Sequence, residues 1–340
     1  MRALPFAALL LVGCATTSAP LATEAPMVAA TAETDPVDTA ADAADDPAIW
    51  RNPADPSKSL VIGTDKKAGI HVYSLAGKRL SFTPAERLNN VDLRDTGGRV
   101  IAAASDRADV ATAHVSLFML DTAAAKLVPL GRFPVGAGEA YGMCLWSRAR
   151  DHALFGFVVL KDGRIDQVAI DLSGATPKVS TVRSMKLATQ SEGCVVDDRT
   201  GQLYVAEEDV GLWRFDADPS AATTATAIAR VDGKTLVADA EGLALAPSGR
   251  AGGYLVASSQ GDNAYTLYRL PGVTYAGRFR IGGGAIDGTS DTDGIDLMLG
   301  DFGPAYPRGL LVAQDGDNAP ATQNFKYVSW DAVRRALKLR

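Results

Sequence analysis

The chain repeats one pattern six times, and no other feature restricts its fold as strongly. Each repeat opens with an acidic or amide residue directly before an apolar run: Asp46-Pro-Ala-Ile-Trp50, Asn90-Val-Asp-Leu-Arg94, Glu139-Ala-Tyr-Gly-Met143, Glu192-Gly-Cys-Val-Val196, Glu241-Gly-Leu-Ala-Leu245 and Asp293-Gly-Ile-Asp-Leu297. The openings recur about every 44 to 53 residues, the spacing of propeller blades. Second runs follow in every unit, such as Leu60-Val-Ile-Gly-Thr64 and Leu203-Tyr-Val-Ala206, and then third runs. All are short, rich in β-branched and aromatic residues, and bounded by Gly, Asp and Pro clusters. Fourth runs appear in five units. The sixth lacks one and ends in a helix-like stretch over 331–339, so a strand from residues 27–33 is expected to fill the gap and close the ring. The predicted fold is all-β: a six-bladed β-propeller of four-stranded antiparallel blades around a central channel. Radial repetition of this kind removes most exposed sheet edges. A pair of β-sandwiches is the alternative, which the six-fold spacing disfavours.

At the N-terminus, Met1-Arg2 precedes an apolar run over 3–12. The run is too short to span a bilayer and has the length of a secretory signal core. Leu11-Val12-Gly13-Cys14 resembles a bacterial lipobox, in which the cysteine is lipidated and becomes the mature N-terminus. The expected organisation is a signal peptide over 1–14, an Ala-, Thr- and Pro-rich tether over 15–30, and the propeller over 31–340. The expected location is outside the cytoplasm, anchored to a membrane through Cys14 on the periplasmic or cell-surface side. Cys144 and Cys194 remain. If Gly142 and Gly193 are equivalent, the two cysteines are one residue out of phase and face opposite sides of their strands. Buried free thiols are therefore expected, although an even count in an exported protein leaves a disulfide open.

The repeat also places chemistry. In a propeller the first strand of each blade lines the channel, and the loop between second and third strands lies at the same mouth as its start. The openings then form a ring: Asp45 and Asp46, Asn90 and Asp92, Glu139, Glu192, Asp239 with Glu241, and Asp293. Carboxylates this close repel, and divalent cations remove the repulsion. Hard oxygen ligands with no His or Cys among them favour calcium over zinc. The loops add Lys66, Lys67, Arg107 and Lys161, together with Glu207-Glu208-Asp209 and Gln260. Metal beside Lys and Arg is an arrangement that grips phosphoryl oxygens. The formal net charge of −6 argues against nucleic acid as a partner. There is no Gly-x-Ser-x-Gly elbow, and His71, His114 and His152 occupy unrelated positions, so serine hydrolase and His-based metallohydrolase chemistries are set aside.

Eight segments carry a family resemblance: Ala44-Asp-Asp-Pro-Ala-Ile-Trp50, Leu88-Asn-Asn-Val-Asp-Leu-Arg94, Ser191-Glu-Gly193, Ala206-Glu-Glu-Asp209, Ala257-Ser-Ser-Gln-Gly261, Asp287-Gly-Thr-Ser-Asp-Thr-Asp-Gly-Ile-Asp296, Val312-Ala-Gln-Asp-Gly316 and Gln323-Asn-Phe-Lys326. In order and without large gaps, they resemble the signature segments of the β-propeller phytases. The resemblance implies calcium-dependent hydrolysis of myo-inositol hexakisphosphate, with one phosphate site for cleavage and an adjacent one for affinity. It implies cleavage-site calcium ligands at Asp45, Asn89, Asn90, Glu192, Glu208, Asp239, Glu241 and Asp293. Phosphate clamps are implied at Lys66, Lys67, Arg107, Tyr141 and Lys161, with Gln260 at the affinity site. Structural calcium is implied at Asp287, Asp315 and Asn318, and at a second site with Asp46. The partners would be phytate as its calcium complex and the membrane through Cys14, with a monomeric catalytic domain. One departure stands out: Leu160 precedes Lys161 and Asp162 follows it, where the family shows Gly and Glu. It bears on the affinity pocket and leaves the cleavage site intact. The implied mechanism is metal-assisted in-line attack by water, without a covalent intermediate. The competing readings are a calcium-dependent propeller lactonase or esterase, which does not need the four cations, and a non-catalytic binding propeller, which does not need the carboxylate ring.

Overall fold

The structure is a computed structural model, and it describes residues 24–339. The signal-peptide reading, Cys14 and most of the tether lie outside the described residues.

Every unit folds as expected into one antiparallel sheet, with its first strand innermost. The strands are Ala44–Trp50, Leu60–Asp65, Gly69–Ser74 and Arg79–Pro84 in blade one, and Leu88–Asp95, Val100–Asp106, Thr112–Asp121 and Lys126–Ala137 in blade two. Blade three has Ala140–Ser147, Leu154–Leu160, Arg164–Asp171 and Lys178–Lys186. Blade four has Ser191–Asp197, Gln202–Glu207, Gly211–Asp216 and Thr226–Arg230. Blade five has Ala240–Ser248, Gly252–Ser259, Ala264–Leu270 and Thr274–Ile281, and blade six has Ile295–Leu299, Gly309–Asp315 and Asn324–Ser329 before the helix Trp330–Ala336. A blade has two apolar faces and covers neither by itself. The core accordingly divides into six clusters, each filling one interface between neighbouring blades.

The N-terminal segment closes the ring. Ala32–Glu33 pairs antiparallel with Asn324–Ser329 as the missing fourth strand of blade six. Met27–Val28 adds a parallel fifth strand to blade five, against Thr274–Ile281. Residues 27 and 28 fall both in the expected tether and in the expected closing strand; they pair with the open outer edge of blade five, and only Ala32–Glu33 fills the gap in blade six.

Cys144 and Cys194 form a disulfide between the first strands of blades three and four, which corrects the expectation of free thiols. The register does place them out of phase, with Cys144 opposite Phe157 and Cys194 opposite Val205 in their own blades. But blades pack by bringing opposite faces of successive sheets together. Side chains on opposite faces of neighbouring blades therefore meet.

Two backbone features shape the mouth of the channel. The first is a register break early in the first strand of five blades: between Ala44 and Pro47, Leu88 and Val91, Ala140 and Gly142, Ser191 and Cys194, and Ala240 and Leu243. A bulge of this kind re-aims the side chain it carries. The displaced residues are Asp45 and Asp46, Asn89 and Asn90, Tyr141, Glu192 with Gly193, and Glu241 with Gly242. The second feature is glycine at the strand contact. A Cβ on Gly142, Gly193, Gly242 or Gly294 would lie 1.9, 2.2, 2.6 or 2.5 Å from the carbonyl oxygen of Glu192, Glu241, Asp293 or Asp45 respectively. Each glycine thus lets the next blade's acidic residue approach at backbone contact. Gly242 and Gly294 also donate N–H bonds to the carbonyls of Asp293 and Asp45, at 2.7 and 3.1 Å.

Because the obstructing atom is backbone, it cannot swing aside. Gly193→Ala is expected to cost about 1–3 kcal/mol or more in stability. Gly272→Ala, where a Cβ meets nothing within 4 Å, should stay within about 0.5 kcal/mol of the parent protein. Denaturant unfolding of the two variants checks this, and equal costs would contradict it.

Candidate metal and phosphate site

One backbone hydrogen bond recurs in all six blades and explains how the loops deliver side chains to the mouth. The residue just after the second strand donates its N–H to the carbonyl of a residue that lies directly before the inner strand in five blades and five residues before it in blade six. The pairs are Lys66 to Ala43, Arg107 to Arg87, Lys161 to Glu139, Glu208 to Gln190, Gln260 to Asp239 and Gly316 to Ser290, at 2.7–3.1 Å. Equivalent positions therefore carry three cations in blades one to three, and Glu, Gln and Gly in blades four to six. The mouth is polarised by sector.

The acidic sector converges on Glu192, Glu208 and Glu241. All three are buried, and one carboxylate oxygen of each lies within 4.8 Å of the others. Glu192 accepts from Asn89 Nδ2 at 2.8 Å. Asp239 and Asp293 line the same cavity of about 580 Å³ with Lys66, Tyr141, Gln190 and Gln260. Burial pushes Glu192 and Glu241 well above the usual carboxylate range; Asp45 adds to the effect on Glu192, as Glu192 does on Glu241. Burial also raises Glu208 and Asp239, and brings Asp293 up to about 7. Four buried oxygens around this mouth have no donor: Asp45 Oδ2, Asn89 Oδ1, Glu208 Oε1 and Glu241 Oε2. An all-oxygen set with orphaned acceptors and raised carboxyl groups fits a hard divalent cation.

The cationic sector is equally defined. Lys66 is buried, with its Nζ 2.8 Å from Asp42, 2.9 Å from Asp45 and 2.9 Å from Asp293. Burial opposes its charge, but Asp45 and Asp293 outweigh burial and hold the ammonium above its ordinary value. Lys67 is exposed, and its Nζ donates to the Ala40 carbonyl at 3.2 Å. Arg107 and Lys161 both lie over the Tyr141 ring, 5.2 and 5.0 Å from its centroid. Glu139 lies 3.5 Å from Arg107. Ser105 donates to the Tyr141 carbonyl at 2.5 Å and accepts from Asn90 N at 3.0 Å, joining blades two and three beneath the clamp. Asp162 turns away to Lys186, at 3.2 Å, and leaves Lys161 exposed.

The remaining expected residues sit apart from this cluster or serve it differently. Gln260 donates to Asp293 Oδ1 at 2.7 Å. Asp287, Asp315 and Asn318 meet at blade six around the Lys326 ammonium, at 2.5, 3.3 and 3.1 Å, and Glu33 joins them at 2.5 Å. That set already encloses a cation of the protein's own, which ties the N-terminal strand to the last blade. Asp46 turns between blades one and two, where its Oδ2 accepts from Val91 N at 3.0 Å. Asp42, Gln190 and Gln314 belong to the site and were not anticipated. Gln314 receives Asp293 N on Oε1 at 2.8 Å and leaves its buried Nε2 unpartnered. At the other end of the channel a cavity of about 490 Å³ is lined largely by apolar side chains such as Leu243, Leu245 and Leu297, around Arg94 and Asp198. Lys66, Arg107 and Lys161 cluster at the first mouth, around Tyr141. His71 is fully buried against Phe82, and burial pushes its imidazole down to about 4, consistent with a packing role.

A propeller whose mouth sets a carboxylate cluster able to hold a metal beside Lys and Arg side chains fits the class of hydrolases that act on anionic esters. Comparison makes this specific: a sequence model described as Phytase matches residues 2–339, and the chain belongs to the phytase family. It is similar to the 3-phytase of Bacillus subtilis (strain 168), with 42% identity over 329 residues, covering 91% of this chain and 85% of that protein. Two solved structures share the fold at 12% identity. One is a glucose dehydrogenase, with TM-score 0.53, 88% of this chain and 99% of that one. The other is a PQQ-bound aldose sugar dehydrogenase from Streptomyces coelicolor, with TM-score 0.55, 92% of this chain and 99% of that one.

The raised carboxyl groups carry a pH signature. Each binds its proton more tightly in the folded chain than in the unfolded one, where it titrates near pH 4. Without a metal, stability therefore falls as pH rises from about 4 through the folded value, about 7 for Asp293. In excess chelator the melting temperature should be higher near pH 5 than near pH 8. A divalent cation, which binds the deprotonated cluster, should raise it more at pH 8 than at pH 5. Scanning calorimetry at both pH values checks this, and a chelated protein more stable at pH 8 would contradict it.

Proposed function

We propose that this chain hydrolyses phosphomonoesters of myo-inositol hexakisphosphate, releasing inorganic phosphate and lower inositol phosphates, with calcium in the Glu192–Glu208–Glu241 cluster. The observation that carries this reading is that three buried glutamates lie within 4.8 Å of one another in a cavity shared with Lys66 and Tyr141, and that Arg107 and Lys161 cover the Tyr141 ring. The family membership and the 42% identical 3-phytase support the substrate.

Glu192, Glu208, Glu241, Asp239 and Asp293, with Asp45, Asn89 and Asn90, would hold the cations. When bound, they supply polarisation of a phosphoryl oxygen and an acidified water. The chain's own residues do the rest. Arg107 presents a fork of N–H donors to the phosphoryl oxygens, and Lys161 adds a second positive charge over the same ring. Tyr141 spaces the two, and its phenol is held neutral by burial and the nearby Glu192 charge. Lys66 offsets the charge of Asp45 and Asp293 and keeps their oxygens in place. Asp162 faces Lys186 instead of the pocket, so the affinity subsite relies on Lys161 and lacks an acidic neighbour from that loop.

We further propose that the chain is exported and anchored through a lipid on Cys14, with a monomeric catalytic domain; the short apolar run ending in Leu-Val-Gly-Cys motivates the anchor. Radiolabelled fatty acid should enter the parent protein and not Cys14→Ser, and equal labelling would refute the anchor.

Phosphate release from inositol hexakisphosphate, with and without chelator, tests the main reading. Calcium-dependent release is expected, and chelator-insensitive or absent release would overturn it. Two variants separate clamp from metal ligand. Glu208→Gln keeps shape and loses charge, so its activity should need about tenfold more calcium and recover when calcium is added. Arg107→Lys loses the planar fork, so its turnover should stay at least about tenfold low at saturating calcium. Equal rescue of both by calcium would abolish the distinction.

A further inference from the structure

Glu208 is held by one residue in two ways. The Gln190 carbonyl accepts the Glu208 N–H at 3.1 Å, and Gln190 Nε2 donates to Glu208 Oε2 at 2.7 Å. This leaves Oε1 as the unpartnered oxygen of a side chain that is 7% exposed. Gln190 also lines the cavity that contains Glu192 and Glu241. Its position has five equivalents, the residues accepting the recurrent backbone bond: Ala43, Arg87, Glu139, Asp239 and Ser290. In the blades on either side the position carries an acid, Glu139 or Asp239. An acid at 190 would repel Glu208, whereas the amide offers it a donor.

We propose that Gln190 is a positioning residue of the metal cluster: its amide occupies Glu208 Oε2, fixes the carboxylate's rotation and presents Oε1 to the cation. The inference rests on the calcium reading above and extends it to a residue that is not itself a ligand. A Glu side chain has three rotatable bonds, and ordering it before the ion arrives removes that cost from binding. Outer partners that orient a ligand are worth about 10–100-fold in metal affinity.

The test is Gln190→Met, which keeps the length and removes the donor, made in the parent protein and in Glu208→Ala. Calcium binding is read by titration calorimetry, and folding by the melting temperature in excess chelator. The expected result is calcium affinity weakened at least about tenfold in the Glu208 background, an unchanged chelated melting temperature, and no further weakening in the Glu208→Ala background. Activity at saturating calcium should return most of the way to the parent value. Affinity within twofold of the parent would overturn the proposal. So would an equal loss in both backgrounds, or a loss matched by a fall in the chelated melting temperature, since both mark a merely structural role. A parent protein that binds no calcium removes the metal reading and this one together. A calcium-binding parent indifferent to Gln190→Met removes this one alone.

Discussion

Everything at the mouth depends on how closely the inner strands approach. Glu192 and Glu208 of blade four and Glu241 of blade five gather into a metal-sized cluster only if neighbouring strands touch at backbone distance. Glycine at 142, 193, 242 and 294 permits that, each under the carbonyl of the next acidic residue around the ring. These four glycines lie on the inner strands or, for Gly294, directly before one, where a Cβ would meet the neighbouring backbone. The bulges act at the same level. They turn Asp45, Asn89, Tyr141, Glu192 and Glu241 out of the regular alternation, so that their side chains are not consumed by inter-blade packing.

Tight approach has an electrostatic consequence, and the protein meets part of it with its own lysines. Inside the ring, Lys66 sits among Asp42, Asp45 and Asp293, and at the seam between first and last blades Lys326 sits among Glu33, Asp287 and Asp315. These fixed ammonium groups neutralise part of the acidic surface permanently. The Glu192–Glu208–Glu241 group has no such partner among the described residues and keeps orphaned oxygens. Mutual repulsion there is relieved by protons at low pH or by a divalent ion at higher pH. The group whose repulsion is expected to weaken the metal-free fold is therefore the one proposed to hold the ion. An acidic protein serving an anionic substrate is consistent on these terms, because a divalent ion bound there would reverse the local sign.

Much of this was legible in the chain. The openings at Asp46, Asn90, Glu139, Glu192, Glu241 and Asp293 and the loops after each second strand are local patterns, and the propeller arrangement inferred from their repeat places most of them at one mouth, although Asp46 turns between blades one and two. Lys66, Arg107, Lys161 and Glu208 were found because they occupy one repeated position. Gln190 and Asp42 were not, because nothing in their own segments distinguishes a neutral amide or an exposed acid that partners a ligand from an ordinary loop residue; Gln314 lay inside a signature segment but carried no role there. Gln190 lies 18 residues from Glu208, and only the sheet brings them together. The cysteines show the limit most clearly. Their phase was read correctly from sequence, but the sign of the conclusion depended on which faces of successive blades meet.

The amino-acid sequence by itself determined the number of blades, the order of strands, the chemistry offered at each loop and the acidic openings, because period-two alternation and turn residues are written locally. Only the tertiary structure decided the pairings across blades: Cys144 with Cys194, Lys66 with Asp293, Glu208 with Gln190, and Lys326 with Glu33. The physical reason is that such contacts depend on the angle and distance between packed sheets. Those are set collectively by all six interfaces and by the glycines that let the inner strands touch.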